Sequence, residues 1–199
     1  NWYTESASED FFKLRWAEIS FTRESYGKFS LGKGDSASNS TAEIDMSGTA
    51  VAMQDKTLWM ASGTLWYDGA SDLLSELEVR DIYNGFDGLS RTDRIRYDTP
   101  EFGGFSLAGS YSSGDAFDGS VWYSREFSGT RVAAALGVAN PGDVMLGTDL
   151  LYTGSASILF PFGISATFSG GNMEKKEEGL DDATLWWAKL GYKTRFSEG

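Results

Sequence analysis

Apolar side chains alternate with small or polar side chains along most of the chain, and clusters of Gly, Ser, Asp and Pro separate the alternating stretches. A period of two residues is typical of β-strands, because successive side chains of a strand point to opposite faces of a sheet. The alternation predicts strands at about residues 11–21, 28–34, 91–97, 105–112, 120–127, 130–139, 149–160, 164–171 and 183–195. Helical periodicity is hard to find, so we expect an all-β fold.

The predicted connections alternate between very short turns and longer, more polar loops. The short set is 23–27, 99–104, 128–129 and 161–163, and the longer set is 113–119, 140–147, 172–182 and a much longer segment that begins at Asp35. Short turns on one rim and long loops on the other are typical of outer-membrane β-barrels. A soluble β-sandwich has no reason to keep this alternation, so the connections favour a transmembrane antiparallel barrel.

Charged residues at alternate positions inside a predicted strand indicate that one face of the sheet is solvated. Arg94, Arg96 and Asp98 share one face of their strand, opposite Ile95 and Tyr97. The lumen of a barrel and the outer surface of a sandwich both satisfy this pattern. Strand faces alone therefore leave both folds open.

Composition excludes several mechanisms. The chain has 199 residues, no Cys, no His and a net charge of -12. Without His there is no Ser-His or Cys-His nucleophile pair and no His-containing zinc site, and the acidic balance repels the phosphate backbone of nucleic acids. No stretch approaches the roughly 20 consecutive apolar residues that a membrane helix needs, so a membrane location requires a closed barrel. We expect no cofactor, no metal site and no nucleic-acid partner.

Residues 85–107 read GFDGLSRTDRIRYDTPEFGGFSL. This segment resembles the Gram-negative general porin family, in which an Arg-rich strand, Tyr-Asp-Ser/Thr-Pro and Phe-Gly/Ala-Gly-Phe-Ser directly follow the constriction loop. Three further segments are similar in the same order, namely YGKFSLGKGD at 26–35, AEIDMSGT at 42–49 and WAKLGY at 187–192. The resemblance implies a trimeric barrel of about sixteen strands whose third loop folds into the pore.

The resemblance also implies a domain organisation and a function. Since the predicted strands are fewer than such a barrel needs, we expect residues 1–199 to be the middle of a porin domain, with residues 35–89 as its constriction loop. The implied function is a passive channel for small hydrophilic solutes and ions, without enzymatic activity, in the outer membrane of a Gram-negative bacterium. The implied partners are outer-membrane lipid, lipopolysaccharide and two further copies in a homotrimer.

In this family, acids on the inward loop face bases on the barrel wall. The matching acids here are Asp68, Asp72, Glu76, Glu78, Asp81 and Asp87. The matching bases are Arg91, Arg94, Arg96, Arg15 and Lys33. Opposed charges would set up a field across the pore that orients dipolar solutes. More acids than wall arginines at this point predict a weak preference for cations.

Two of these bases lie on the apolar face of their predicted strands. Lys33 shares a face with apolar Leu31, and Arg91 shares one with Ile95, so each needs a strand end or a bulge to reach the lumen. We further expect a short helix within 68–81. For the acids, a solvated outer loop is the alternative interpretation.

Two other functions remain open at the level of sequence. A secreted β-sandwich acting on carbohydrate would need paired carboxylates, for which Glu18, Glu43, Asp45, Glu76 and Glu78 are the candidates. A complete eight-stranded outer-membrane barrel acting as an anchor or adhesin would suit the chain length. The odd number of predicted strands and the long segment after Asp35 disfavour this second function.

Overall fold

The computed structural model describes residues 14–49, 63–79, 86–177, 179 and 181–194. They contain eleven strands: β1 (Ala17–Arg23), β2 (Gly27–Asp35), β3 (Leu65–Asp68), β4 (Leu73–Glu78), β5 (Arg91–Asp98), β6 (Phe105–Ser112), β7 (Ala116–Phe127), β8 (Thr130–Asn140), β9 (Thr148–Leu159), β10 (Ile164–Lys175) and β11 (Ala183–Tyr192). The fold of these residues is all-β, as the alternation predicted. No helix within these ranges is long and apolar enough to cross a membrane.

Nine of the strands form one antiparallel sheet, in the order β1-β2-β5-β6-β7-β8-β9-β10-β11. The nine strands predicted from the alternation are confirmed, although residues 11–13 and 195 lie outside the described ranges. In the described part of the chain, β1 and β11 are the two edges of this sheet. Closure into a barrel therefore stays a prediction.

The hairpin of β6 and β7 is tighter than predicted. The loop expected over 113–119 is wrong, because β7 already begins at Ala116 and only residues 113–115 connect the two strands. Gly, Ser and Asp make this stretch similar to a loop in composition. It continues as a strand because the buried side chains of Asp118 and Ser120 form hydrogen bonds on the face of the sheet.

The two faces of the sheet differ in chemistry. On β9, Tyr152 is exposed, whereas Thr153, Ser155 and Ser157 on the opposite face are buried. Exposed apolar side chains follow the first face across the sheet, among them Phe29, Leu31, Ile95, Leu107, Phe117, Leu136, Phe168 and Leu190. An apolar exposed face behind a polar covered face is typical of an outer-membrane wall. We call the hydroxyl-rich face the inner face and the apolar one the outer face.

A small apolar core lies on the inner face, near the rim of the longer connections. Phe86 and Leu89, which precede β5, are buried there together with Leu151 of β9 and Met173 of β10. Burial of side chains of this size stabilises a fold by roughly 1.5–3 kcal/mol each. Apolar packing therefore holds the residues that return to β5 against the wall.

Strands β3 and β4 form a separate hairpin within the long connection. The helix predicted over 68–81 is wrong for residues 68–78, and residues 80–81 lie outside the described ranges. A turn forms instead because the Asp68 carboxylate accepts hydrogen bonds from Ala70 N–H (3.0 Å) and Ser71 Oγ (2.7 Å). Aromatic residues before the turn also favour a strand over a helix.

The turn before β2 offers a test of the fold. Gly27 has a φ of +82°, and a Cβ at this position would overlap the backbone carbonyl oxygen of Asp98. Gly103 is a matched control, because its φ is +62° but a Cβ there meets no atom within 4 Å. Both alanine variants bear the left-handed cost of about 1–2 kcal/mol, and Gly27→Ala adds the overlap. We expect Gly27→Ala to lower the free energy of unfolding in urea by more than Gly103→Ala. Equal losses would contradict the close approach at Gly27.

Candidate functional site

After β2, residues 36–49 cross the inner face of the sheet toward β11, and we call them the inward segment. A main chain outside a sheet must find other partners for its N–H and C=O groups. Wall side chains supply them, as follows: Ala37 N–H to Ser110 Oγ (2.9 Å), Ser120 Oγ to the Ala37 carbonyl (2.7 Å), Ser155 Oγ to the Thr41 carbonyl (2.6 Å), Ser169 Oγ to the Ala42 carbonyl (2.7 Å), Ile44 N–H to Ser155 Oγ (2.9 Å) and Met46 N–H to Ser157 Oγ (3.0 Å). These partners lie on strands from β6 to β10, so the segment covers most of the width of the sheet.

Hydroxyl groups suit this task because each can donate and accept at once. Ser155 uses both capacities, since it donates to the Thr41 carbonyl and accepts from Ile44 N–H. Its neighbour Ser157 is two residues along the same strand and therefore on the same face. Ser155 and Ser157 thus provide adjacent partners, on one face of β9, for a main chain that lies across it.

Arg94 holds the root of the inward segment. Its side chain is inner-facing and only 5% exposed. It donates to the carbonyl oxygens of Asp35 (2.9 Å) and Gly32 (3.1 Å), and to the Glu18 carboxylate (2.5 Å). Lys28 lies 3.6 Å from the other oxygen of Glu18. The guanidinium therefore joins β1, β2 and the start of the segment through charge-assisted hydrogen bonds.

Arg96 acts in the same way one step along β5. It donates to the Ser36 carbonyl at 2.6 Å and to both oxygens of Asp98 at 3.0 Å. Arg94 and Arg96 thus contact main-chain carbonyls and wall carboxylates on the inner face. Sequence parity predicted their face, but their carboxylate partners Glu18 and Asp98 were not among the residues predicted for the pore constriction.

The structure disperses the predicted acids. Asp68 and Asp72 belong to the hairpin turn, where Asp72 accepts a hydrogen bond from the Tyr67 hydroxyl, and Glu76 and Glu78 lie on β4. Asp81 lies outside the described residues. Asp87 accepts hydrogen bonds from Ser40 N–H and Ala42 N–H, both at 3.1 Å. Of this set, Asp87 is the one whose contacts with the inward segment are seen.

The remaining predicted bases are not brought together with Arg94 and Arg96. Arg15 is exposed before β1. Lys33 follows the outer-face parity of β2 and lies 3.9 Å from Asp93, its cross-strand neighbour. Arg91 begins β5 with the parity of its outer face, opposite Asp35. No bulge in the pairing of β2 with β5 turns Lys33 or Arg91 inward.

The far end of the inward segment is held by an ion pair that the sequence analysis did not predict. Lys189 of β11 donates to Asp45 at 2.5 Å and to the Thr49 carbonyl at 3.1 Å. The other oxygen of Asp45 accepts from Thr167 Oγ1 (3.1 Å) and Ser47 N–H (3.0 Å). A lysine at an inner-facing position of a strand was the available signal.

The electrostatics of Asp45 follow from these contacts. Burial raises the pKa of its carboxyl, but hydrogen bonds from Lys189 and Ser47 outweigh burial and hold the pKa below its ordinary value of 3.8. The stabilisation from this contact is therefore complete above the ordinary pKa. It is lost as the pH falls through the lower pKa of the folded state.

The carboxylates nominated for a hydrolase lie on three parts of the described chain, with Glu18 on β1, Glu43 and Asp45 on the inward segment, and Glu76 and Glu78 on β4. Glu18 is bound by Arg94 and Lys28, and Asp45 is bound by Lys189. Glu76 and Glu78 belong to the hairpin. Over the described ranges, no group of three or more carboxylates is arranged to hold a metal ion. The contacts described above fix the inward segment across the hydroxyl-rich inner face of the sheet.

Comparison with known proteins adds one finding. A protein-family model described as Gram-negative porin matches residues 2–198. No curated protein and no solved structure matches the chain. The matched residues include the inward segment, Arg94 and Arg96 of β5 and all nine strands of the sheet.

Removal of Lys189 tests the electrostatics of the far end. In Lys189→Met, Asp45 loses its hydrogen bond and ion pair with Lys189 while its burial remains, so we expect its pKa to rise relative to that of the parent protein. The measurement is a pH titration of the Asp45 carboxyl carbon by NMR in detergent, with Asp45→Asn to assign the resonance. Lys176→Met removes the same charge from an exposed loop and should leave the titration unchanged. A midpoint in Lys189→Met equal to that of the parent would show that Lys189 does not hold Asp45.

Proposed function

Because the chain belongs to the Gram-negative porin family, we propose that it forms a passive outer-membrane channel for small hydrophilic solutes and ions. The observation that carries this proposal is the inward segment, which lies on the polar face of the sheet and is bonded to side chains from β6 to β11. A chain in this position narrows any lumen that the sheet encloses. Conductance of the full-length protein in a planar bilayer tests the proposal, and a protein that folds and inserts without conducting would contradict it.

We propose that the sheet is part of a larger closed barrel. Its outer face is apolar, which suits lipid, but the open edges of β1 and β11 would leave main-chain groups without partners in hydrocarbon. Pairing of both edges with further strands removes this cost. A sheet of nine strands with two open edges also disfavours the complete eight-stranded anchor.

The charges that act on passing ions divide into two groups in this proposal. At the root of the inward segment, three cations face two carboxylates, since Lys28 and Arg94 share Glu18 and Arg96 pairs with Asp98. Asp45 and Lys189 form a pair at the far end. Asp68, Asp72 and Glu76 of the hairpin are exposed. We propose that they attract cations toward the mouth of the channel, which gives a weak cation preference.

Ion selectivity, measured as the reversal potential under a salt gradient, tests the paired charges and the hairpin acids separately. Arg96→Gln leaves Asp98 without its partner close to the permeation path, so we expect a shift of the reversal potential toward cations that persists in high salt. Replacing Asp68, Asp72 and Glu76 by their amides should shift it toward anions only in dilute salt, because exposed charges are screened beyond a Debye length of about 8 Å at physiological ionic strength. Arg23→Gln, in a turn on the opposite rim, is the control. Unchanged reversal potentials in both variants would remove these residues from the permeation path.

We also propose a homotrimer with lipopolysaccharide at its periphery, since proteins of this family form oligomers in contact with membrane lipid. The expected outcome is a trimeric band when the full-length protein is crosslinked in native membranes and again in mild detergent. Dilution before crosslinking controls for random collisions. A monomer under both conditions would exclude a stable trimer.

A further inference from the structure

Asp118 of β7 lies beneath the point where the inward segment leaves the wall. Its side chain is on the inner face and only 7% exposed. Within the described ranges, no Lys or Arg forms an ion pair with it. A buried carboxylate without a cation is costly unless hydrogen bonds replace its water shell. The hydrogen-bond partners of Asp118 therefore indicate the role of its charge.

Three donors surround the carboxylate. One oxygen accepts from both Ser38 N–H and Ser38 Oγ, each at 2.6 Å. The other accepts from the Ser110 hydroxyl of β6. Ser110 in turn accepts from Ala37 N–H at 2.9 Å. The outgoing end of the inward segment is thus bonded to Asp118 directly at residue 38 and through Ser110 at residue 37.

The returning chain meets the same group. Ser38 Oγ, which donates to Asp118, accepts from Leu89 N–H at 2.9 Å. Ser36 Oγ donates to the Leu89 carbonyl. Gly88, at φ +77°, permits this approach because a Cβ there would overlap the main chain of Ser38. Both ends of the long connection therefore meet at one carboxylate.

This contact differs in kind from the contacts that wall serines make with the segment. Ser155, Ser157 and Ser169 form neutral hydrogen bonds to the main chain. Hydrogen bonds to an ionised acceptor are roughly twice as strong. Asp118 also accepts from two separate stretches of chain, at Ser38 and at Ser110, and is linked to a third at Leu89 through the Ser38 hydroxyl, whereas each of these serines joins the wall to one stretch.

We propose that Asp118 is the positioning residue that holds the inward segment against the wall and so maintains the main open state of the channel. This inference rests on the proposed function, because it concerns the segment that narrows the lumen. Without the charge, the segment moves between a wall-bound position and a displaced one. Current through a single channel reports the two positions as the main level and excursions from it.

The test compares Asp118→Asn with Asp115→Asn in the full-length protein. Asp115 belongs to the same hairpin, accepts only from Tyr111 among the contacts seen, and has a φ of +55° that Asn tolerates equally well. Asp118→Asn removes the charge and replaces one acceptor oxygen by an amide nitrogen, which cannot accept the hydrogen bond that Ser110 or Ser38 donates. We expect excursions from the main conductance level to become about tenfold more frequent in Asp118→Asn, which is the effect of losing one hydrogen bond to a charged group.

Ser38→Ala gives an independent measure from the other side of the contact. Ser38→Ala should increase the frequency of excursions in the same way. The double variant should add little to either single change, because both single variants break the hydrogen bond between Ser38 Oγ and Asp118. We expect the midpoint temperature of thermal unfolding to change little in these variants while the frequency of excursions rises. A residue with a merely structural role would lower that temperature first. If Asp118→Asn does not fold, Ser38→Ala carries the test alone.

The outcomes are distinct. Excursions at the parent frequency in a folded Asp118→Asn, or in Ser38→Ala where the former does not fold, overturn the inference and leave the channel function standing. Equal increases in Asp118→Asn and Asp115→Asn also overturn it, because net charge alone would then explain the effect. A parent protein without conductance overturns the proposed function, and the role of Asp118 with it.

Discussion

A polypeptide that leaves a β-sheet and runs across its face loses the ladder partners of its main chain, and every buried N–H and C=O must be bonded again. In this protein the wall meets that requirement with side-chain hydroxyls on β6, β7, β9 and β10. The composition of the inner face, the path of residues 36–49 and the placement of the ionised side chains all follow from it. Ionised groups are found where several main-chain stretches meet, and hydroxyls where a single stretch passes.

The size of the inner-face side chains matters as much as their polarity. Ser and Thr are small enough to leave room for a second layer of main chain, whereas longer polar side chains would displace it. The outer face has the opposite requirement, and large apolar residues occupy it. The alternation along each strand therefore encodes two surroundings at once, a lipid-like one and a covered polar one. Arg94 and Arg96 fit the inner face because their guanidinium groups bond to carbonyls at its border with the segment.

The period of two was sufficient to predict the nine strands of the sheet and the faces of Arg94 and Arg96, because parity is a local property of a strand. Many ion-pair and hydrogen-bond partners on the inner face are far away in sequence. Glu18 and Arg94 are separated by 76 residues, and Asp45 and Lys189 by 144. Asp118 was assigned to a loop since the residues around it are typical of turns, and its hydrogen bonds depend on a segment far away in sequence. The hairpin of β3 and β4 was missed for a related reason, because acidic residues at 68–78 obscured a strand pattern whose turn depends on Asp68.

The hydrogen bonds from Ser155, Ser157 and Ser169 to the inward segment are made to carbonyl and amide groups at residues 41, 42, 44 and 46, and every residue type except proline presents both groups. The wall therefore recognises that a chain is present at these positions and is indifferent to which residues compose it. Side chains at positions such as Ile44 and Met46 can change while the path of the segment is kept. The chemistry of the lumen and the architecture that supports it are thereby separable, and mutation can alter what the pore favours without first dismantling how the pore is built.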